Sequence, residues 1–105
     1  MAEPILIYVT TPSLEIAEQM ALALVEEKRV ACANILGEIR AIYRFEGTQE
    51  NTSETALLLK TTKAQEAAVI ARIKALHPYN NPAILTLPVL GGSPEFLAWI
   101  QAATS

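Results

Sequence analysis

The sequence predicts an α+β sandwich in which two strand-helix-strand halves meet at a long central hairpin, and three observations carry that prediction. Between Glu38 and Phe45, Ile39, Ala41, Tyr43 and Phe45 alternate with Arg40, Ile42 and Arg44, a two-residue period that only a strand turns into two faces. A polar reversal from Glu46 to Ser53 and a second arm from Glu54 to Thr61 complete the hairpin. On either side, similar thresholds open a helix: Val9-Thr10-Thr11-Pro12 before the first, Lys60-Thr61-Thr62-Lys63 before the second.

Taken in order, Ile5-Leu6-Ile7-Tyr8-Val9 is a short apolar run whose length and branched residues favour a central strand buried on both faces. Thr11 as cap and Pro12 as first helical residue should start a helix, because proline's missing donor costs nothing there. Ile16, Met20 and Leu24 then share a face with Ala17 and Ala21, while Glu18, Gln19, Glu26 and Glu27 point away. Lys28-Arg29 closes this helix at the end that favours cations. Val30 to Leu36 is the next strand, continuing through a bulge or bend at Gly37 into the first hairpin arm.

After the hairpin, Thr62 and Gln65 have the separation of a capping box, and Val69, Ile73 and Leu76, flanked by Ile70, form the stripe of a second helix. Pro78 stops it. A loop from His77 to Pro82 leads to a strand over 83–89, where Pro88 suits an edge position. Gly91-Gly92 turns the chain, and Ser93-Pro94 starts a short last helix anchored by Trp99, whose indole N–H requires a partner. Residues 1–105 thus form a single domain of order βαββαβ with an extended central hairpin and a short C-terminal helix. That is the ferredoxin-like arrangement, an antiparallel sheet with both helices on one face.

Composition bears on assembly. Half of the 105 residues are hydrophobic (51%) and only 18% are charged, against a typical share of about a quarter. Such a chain has little with which to cover its outside, so self-association is favoured over a compact monomer surfaced by Ala, Thr and Ser. The sheet face left bare by the helices, with Ile42, Tyr43, Phe45 and Leu57 to Leu59 to hide, is the expected contact, burying roughly 1,000 Å² or more.

Charge and cysteine content restrict partners. A net charge of −3, with no basic cluster denser than Lys28-Arg29, argues against nucleic acid. No apolar run reaches bilayer-spanning length, Met1-Ala2-Glu3-Pro4 lacks a secretory pattern, and one cysteine makes no internal disulfide; a cytoplasmic protein without a membrane partner is expected.

Chemistry-bearing residues are few. Asp is absent and His77 is the one histidine, so no Ser/His/Asp arrangement exists and no general base can be nominated; an enzyme is not expected. Cys32 and His77 are the candidate metal ligands, a thiolate and an imidazole, each weighed against a structural role: a small buried hydrophobe for Cys32, a helix-end cap or cation for His77. An oligomer would copy each ligand by symmetry. Arg40, Arg44 and Lys60 of the hairpin, with Tyr43 and Tyr79, are candidates to line an anion-accepting cleft; the alternative is cross-strand charges and an interface aromatic. Glu46 and Glu50 read as solvated turn charges, and Gly91-Gly92-Ser93 lacks the lysine of a phosphate loop.

Six motifs in order, Val9-Thr10-Thr11-Pro12, Ala31-Cys32-Ala33-Asn34-Ile35, Ile42-Tyr43-Arg44-Phe45-Glu46-Gly47, Leu59-Lys60-Thr61-Thr62, Leu76-His77-Pro78-Tyr79 and Leu87-Pro88-Val89, resemble those of the CutA1 divalent-cation tolerance family. The resemblance implies a homotrimer of ferredoxin-like protomers, similar in architecture to PII signalling proteins. It also implies metal tolerance or homeostasis through binding of copper or another divalent ion, with no metal required for folding and no enzymatic activity. Under it, Cys32 and His77 match the family's cysteine and histidine, and Tyr43, Lys60 and Tyr79 match positions around the intersubunit cleft. Phe45 replaces a usual Trp, Thr48 a frequent Lys, Asn80 and Ala83 two glutamates, and Val9 a second cysteine of some bacterial members. The lost acids motivate an alternative, a signalling or scaffold trimer that binds a small anionic metabolite or a partner protein.

Overall fold

In the computed structural model, which describes residues 2–105, the chain runs through β1 (Pro4–Thr11), α1 (Leu14–Glu26), β2 (Cys32–Phe45), β3 (Thr48–Thr62), a 3-10 turn (Lys63–Gln65), α2 (Glu66–Leu76), β4 (Ile84–Pro88) and α3 (Pro94–Ala103). The four strands form one antiparallel sheet of order β2-β3-β1-β4, which puts β1 in the interior and β4, ending in Pro88, at an edge. Ile5, Ile7 and Val9 of β1 and Leu57 and Leu59 of β3 meet Ala17, Met20 and Leu24 of α1 and Val69 and Ile73 of α2 in the core. The helices therefore cover one face of the sheet. On the other, Leu6 and Tyr8 are only half-buried, so within one chain β1 is sealed on a single side rather than both.

The long hairpin sets the shape of the molecule. A strand of the length of β2 spans about 45 Å at ~3.3 Å per residue, and the longest dimension of the chain is 45 Å. Its register shifts between Ile35 and Gly37, where Gly37 adopts φ 97 and Leu36 is the unpaired extra residue; the bulge lies where the glycine led one to expect it. The reversal is much tighter than the polar stretch implied. Glu46 and Gly47, at φ 49 and φ 81, make the whole turn, and Phe45 pairs directly with Thr48. Residues 48–53 are polar yet extended because each continues the ladder to β2, which satisfies the backbone whatever the side chain.

Helix boundaries moved for similar reasons. Thr11 pairs with Thr55 as the last residue of β1, and its hydroxyl donates to the Ser13 carbonyl at 2.9 Å. The cap of α1 is Ser13, in extended conformation, whose Oγ accepts from the Ile16 amide at 3.2 Å; Pro12 lies outside the helix. At the other end α1 stops at Glu26 without a cation in its last turn. Lys28 takes φ 60, its amide bonds to Val25 O at 3.0 Å and the Arg29 amide to Leu24 O at 2.9 Å, the paired bonds of a Schellman closure.

The expected capping box at Thr62 and Gln65 does not form. Thr62 is held in the sheet opposite Pro4, and Gln65 is drawn away, donating to Thr104 O at 2.8 Å and accepting from Arg29 at 3.3 Å. The Ser93 hydroxyl likewise turns to Glu95 rather than to an amide. In α3 the buried anchor is Ile100; Trp99 remains 46% exposed, its ring 5.4 Å from that of Phe96.

Candidate functional site

Strand alternation places Thr10 of β1 and Glu54 of β3 on the sheet face away from the helices. Across the ladder from β3, Ile39 pairs with Glu54, Ala41 with Thr52 and Tyr43 with Glu50, so Tyr43 and Phe45 share that face. The segment after α2 folds over the same region. Thr10, Tyr43, Phe45, Glu54, Tyr79 and the Asn80-Asn81 pair enclose a cleft of about 760 Å³.

His77 holds this segment in place. It is 7% exposed; its Nε2 lies 2.7 Å from the Thr10 carbonyl oxygen, and the Tyr79 amide donates to its Nδ1 at 3.1 Å. Both contacts are satisfied when the ring is neutral with its proton on Nε2. The His77 and Tyr79 rings are 4.9 Å apart. Partial burial, then the Glu54 charge and then Tyr43, hold the Tyr79 phenol above its ordinary ionisation range.

Of the predicted residues, the fold brings Tyr43 and Tyr79 together at this cleft. Arg44 projects from the opposite face of the arm and donates to the Gly47 carbonyl at 3.3 Å, while Arg40 is bonded to Asn51 at 2.8 Å. Lys60 lies towards the other end of the sheet, its ammonium 5.2 Å from the Phe96 ring centroid. Cys32, half-buried at the start of β2, pairs with Lys60 and through it lines up with Leu6. Leu6 and Thr10 are separated along β1 by about 13 Å at ~3.3 Å per residue, so Cys32 and His77 sit at opposite ends of the face. Both nitrogens of His77 are engaged, and coordination there requires release of one of those bonds. Among the described residues no group of three or more His, Cys, Asp or Glu side chains is placed to hold a metal ion.

Two participants went unnoticed in the sequence, Thr10 and Glu54. Glu54 had a faint signal, a lone acid opening the apolar run Ala56 to Leu59, but its place opposite Tyr79 depends on a loop far along the chain.

Known proteins share this fold and much of this sequence. The family model described as "CutA1 divalent ion tolerance protein" matches residues 5–103. The divalent-cation tolerance protein CutA of Thermus thermophilus is 42% identical over 98 residues, covering 93% of this chain and 95% of the relative. Its solved structure superposes with a TM-score of 0.95 at 40% identity, over 97% of this chain and 99% of that one. A protein from Archaeoglobus fulgidus, described as a periplasmic divalent cation tolerance protein, gives a TM-score of 0.94 at 39% identity over 97% and 99% of the two chains. A family match over nearly the whole length, with close relatives sharing both sequence and fold, places this chain in the CutA1 divalent ion tolerance family.

Proposed function

We propose that this protein is a homotrimer that serves divalent-cation tolerance by binding copper or a related ion where subunits meet. The observation that carries the reading is the uncovered sheet face. Leu85 is 61% exposed, Leu87 41%, Phe45 60% and Tyr43 43%, and Cys32 and Lys60 lie on the same side. Apolar surface of this kind is stabilised by covering it with copies of itself, and rotational symmetry would multiply the single thiolate into a set of ligands that one chain lacks. Cys32 is assigned as thiolate ligand, suited to a cuprous ion. His77 is assigned as imidazole ligand for cupric ion or zinc, with an oxygen donor alongside. The core is complete within one chain, so folding needs no metal. The cytoplasm is the proposed compartment, since a lone thiol requires no oxidising milieu.

Light scattering combined with copper titration tests this. A three-chain mass and loss of tight copper binding in Cys32→Ala or His77→Ala are expected. Unchanged tight binding in both variants would remove these ligands, and a monomeric mass would remove the assembly.

A second reading is a PII-like scaffold whose clefts hold a small molecule, with metal binding incidental. It is supported by the Tyr43, Glu54 and Tyr79 cleft and by the distance between Cys32 and His77. Within one protomer, however, the cations Arg44 and Lys60 that favoured an anionic ligand point elsewhere.

A further inference from the structure

We infer that the outward face of α1, centred on Leu22 and ringed by Glu15, Glu18 and Glu26, docks a basic amphipathic helix of a partner protein. Helical spacing builds this face. Ala17, Met20 and Leu24 turn into the core, so Leu22 stands on the far side of the helix, where it is 71% exposed. Val25, one turn on, is 44% exposed, and Leu14, two turns back, 54%. Helix propensity accounts for a leucine on a helix surface but not for Val25, whose branched side chain is restrained at χ1. The face points away from the sheet, and the surface proposed above for self-association is on the sheet's opposite side.

Charge then selects the occupant. No lysine or arginine occurs within α1. Glu15, in the first turn, is favoured by the free amides of the helix start. Glu26 has no such support: it lies in the last turn, where the helix end disfavours an anion, and no cation accompanies it there. Among the described residues the ion pairs are Lys63 with Glu66 and Arg72 with Glu27, so Glu15, Glu18 and Glu26 take part in none. Leu22 is therefore an apolar anchor set among uncompensated carboxylates, the two nearest one turn before and one turn after it.

Three other occupants fit this pattern poorly. A second copy would bring its own carboxylates against these, and a surface of anionic lipid would repel them. A neutral apolar segment would cover Leu22 and take the acids out of water with nothing to pair them. Lysine or arginine beside an apolar stripe meets both needs. The 13 residues of α1 span about 20 Å, enough to match the anchors of an amphipathic helix over several turns. One helix laid on another is a small contact, suited to a reversible partner rather than to a permanent subunit.

The test is fluorescence anisotropy of the full chain with a labelled leucine-lysine peptide of roughly 18 residues patterned as an amphipathic helix. A scrambled peptide of the same composition and vesicles of phosphatidylserine serve as comparisons. Saturable binding of the patterned peptide, about tenfold or more tighter than the scrambled one and weakening with salt, is expected. Leu22→Ala should lose about tenfold of that affinity, and Glu18→Gln combined with Glu26→Gln a similar factor. Glu3→Gln combined with Glu38→Gln removes the same charge from exposed acids elsewhere and should leave the affinity unchanged. Equal affinity for the two peptides, equal losses in the two double variants, or full affinity in Leu22→Ala would overturn the inference. So would preference for the vesicles, or a lower mass by light scattering in Leu22→Glu, which would assign the face to lipid or to a second copy. The substituted side chains are exposed, so the core is left intact. Copper titration of the same samples keeps the readings apart: a copper-binding trimer that ignores the patterned peptide overturns this inference alone, and a monomer that binds it overturns the assembly alone.

Discussion

His77 joins Thr10 across 67 residues of sequence: its Nε2 lies 2.7 Å from the Thr10 carbonyl oxygen, at the end of the central strand. Because the Tyr79 amide donates to the other ring nitrogen, one imidazole locks the loop after α2 onto the sheet. His77→Ala would leave the buried Thr10 carbonyl without this partner, a loss of roughly 1–3 kcal/mol. A lower urea midpoint, read at fixed protein concentration, is the expected outcome; an unchanged midpoint would mean that water replaces the ring without penalty.

Lys28 closes α1 at φ 60, a conformation that suits glycine better than a residue with a Cβ. Lys28→Gly should therefore stabilise the fold by about 1 kcal/mol, and Lys28→Val should destabilise it. Equilibrium unfolding of the two variants checks the sign. A fall in stability on Lys28→Gly would show that the lysine side chain contributes more than its strain costs.

Phe45 lies near the tip of the arm and is 60% exposed in the single chain. If self-association covers it, Phe45→Asp strands a charge in an apolar contact at a cost of several kcal/mol, roughly, and the assembly should dissociate. Light scattering at micromolar concentration would detect this. A variant of normal mass and normal melting would place Phe45 outside the contact.

Acid sensitivity should report on Glu66. Hydrogen bonds from Lys63 and then from Thr86 hold its carboxyl below the ordinary value of 4.5. The unfolded chain therefore takes up this proton more readily than the folded one. The stability Glu66 confers is present above pH 4.5 and is lost as pH falls through the depressed folded value. Glu66→Gln should flatten the acid limb of a stability-pH profile; a limb of unchanged slope would assign acid unfolding to other carboxylates.

Tyr79 should act at the alkaline end. Its raised pKa means that the folded state keeps the proton longer, so its contribution is intact below pH 10 and declines as pH rises through the folded value. Tyr79→Phe should remove that alkaline decline, and ultraviolet titration of the phenolate gives an independent reading.

The element order and the sheet's central strand were legible because hydrophobic period is a local property: Ile39 to Phe45 alternate whether or not a partner strand is known. Gly37 announced its bulge for the same reason, since a residue without Cβ is needed where the strand changes register. Capping was less legible. Thr11, Thr62 and Ser93 each have a hydroxyl suited to a cap, but the sheet held Thr11 and Thr62, and Glu95 drew the Ser93 side chain away.

The candidate site joins residues that local pattern marks and residues that it does not. Tyr43 and Tyr79 stand out in the sequence as aromatics in polar surroundings and meet within one chain, whereas in that chain Arg44 lies on the other face of the arm and Lys60 towards the other end of the sheet. Sequence alone determined the succession of strands and helices, the family resemblance and the surplus of apolar residues, because these follow from neighbours within a few positions. Only the tertiary structure decided that Glu54 faces Tyr79 and that Cys32 and His77 lie apart, because strand register joins residues that the chain separates by tens of positions.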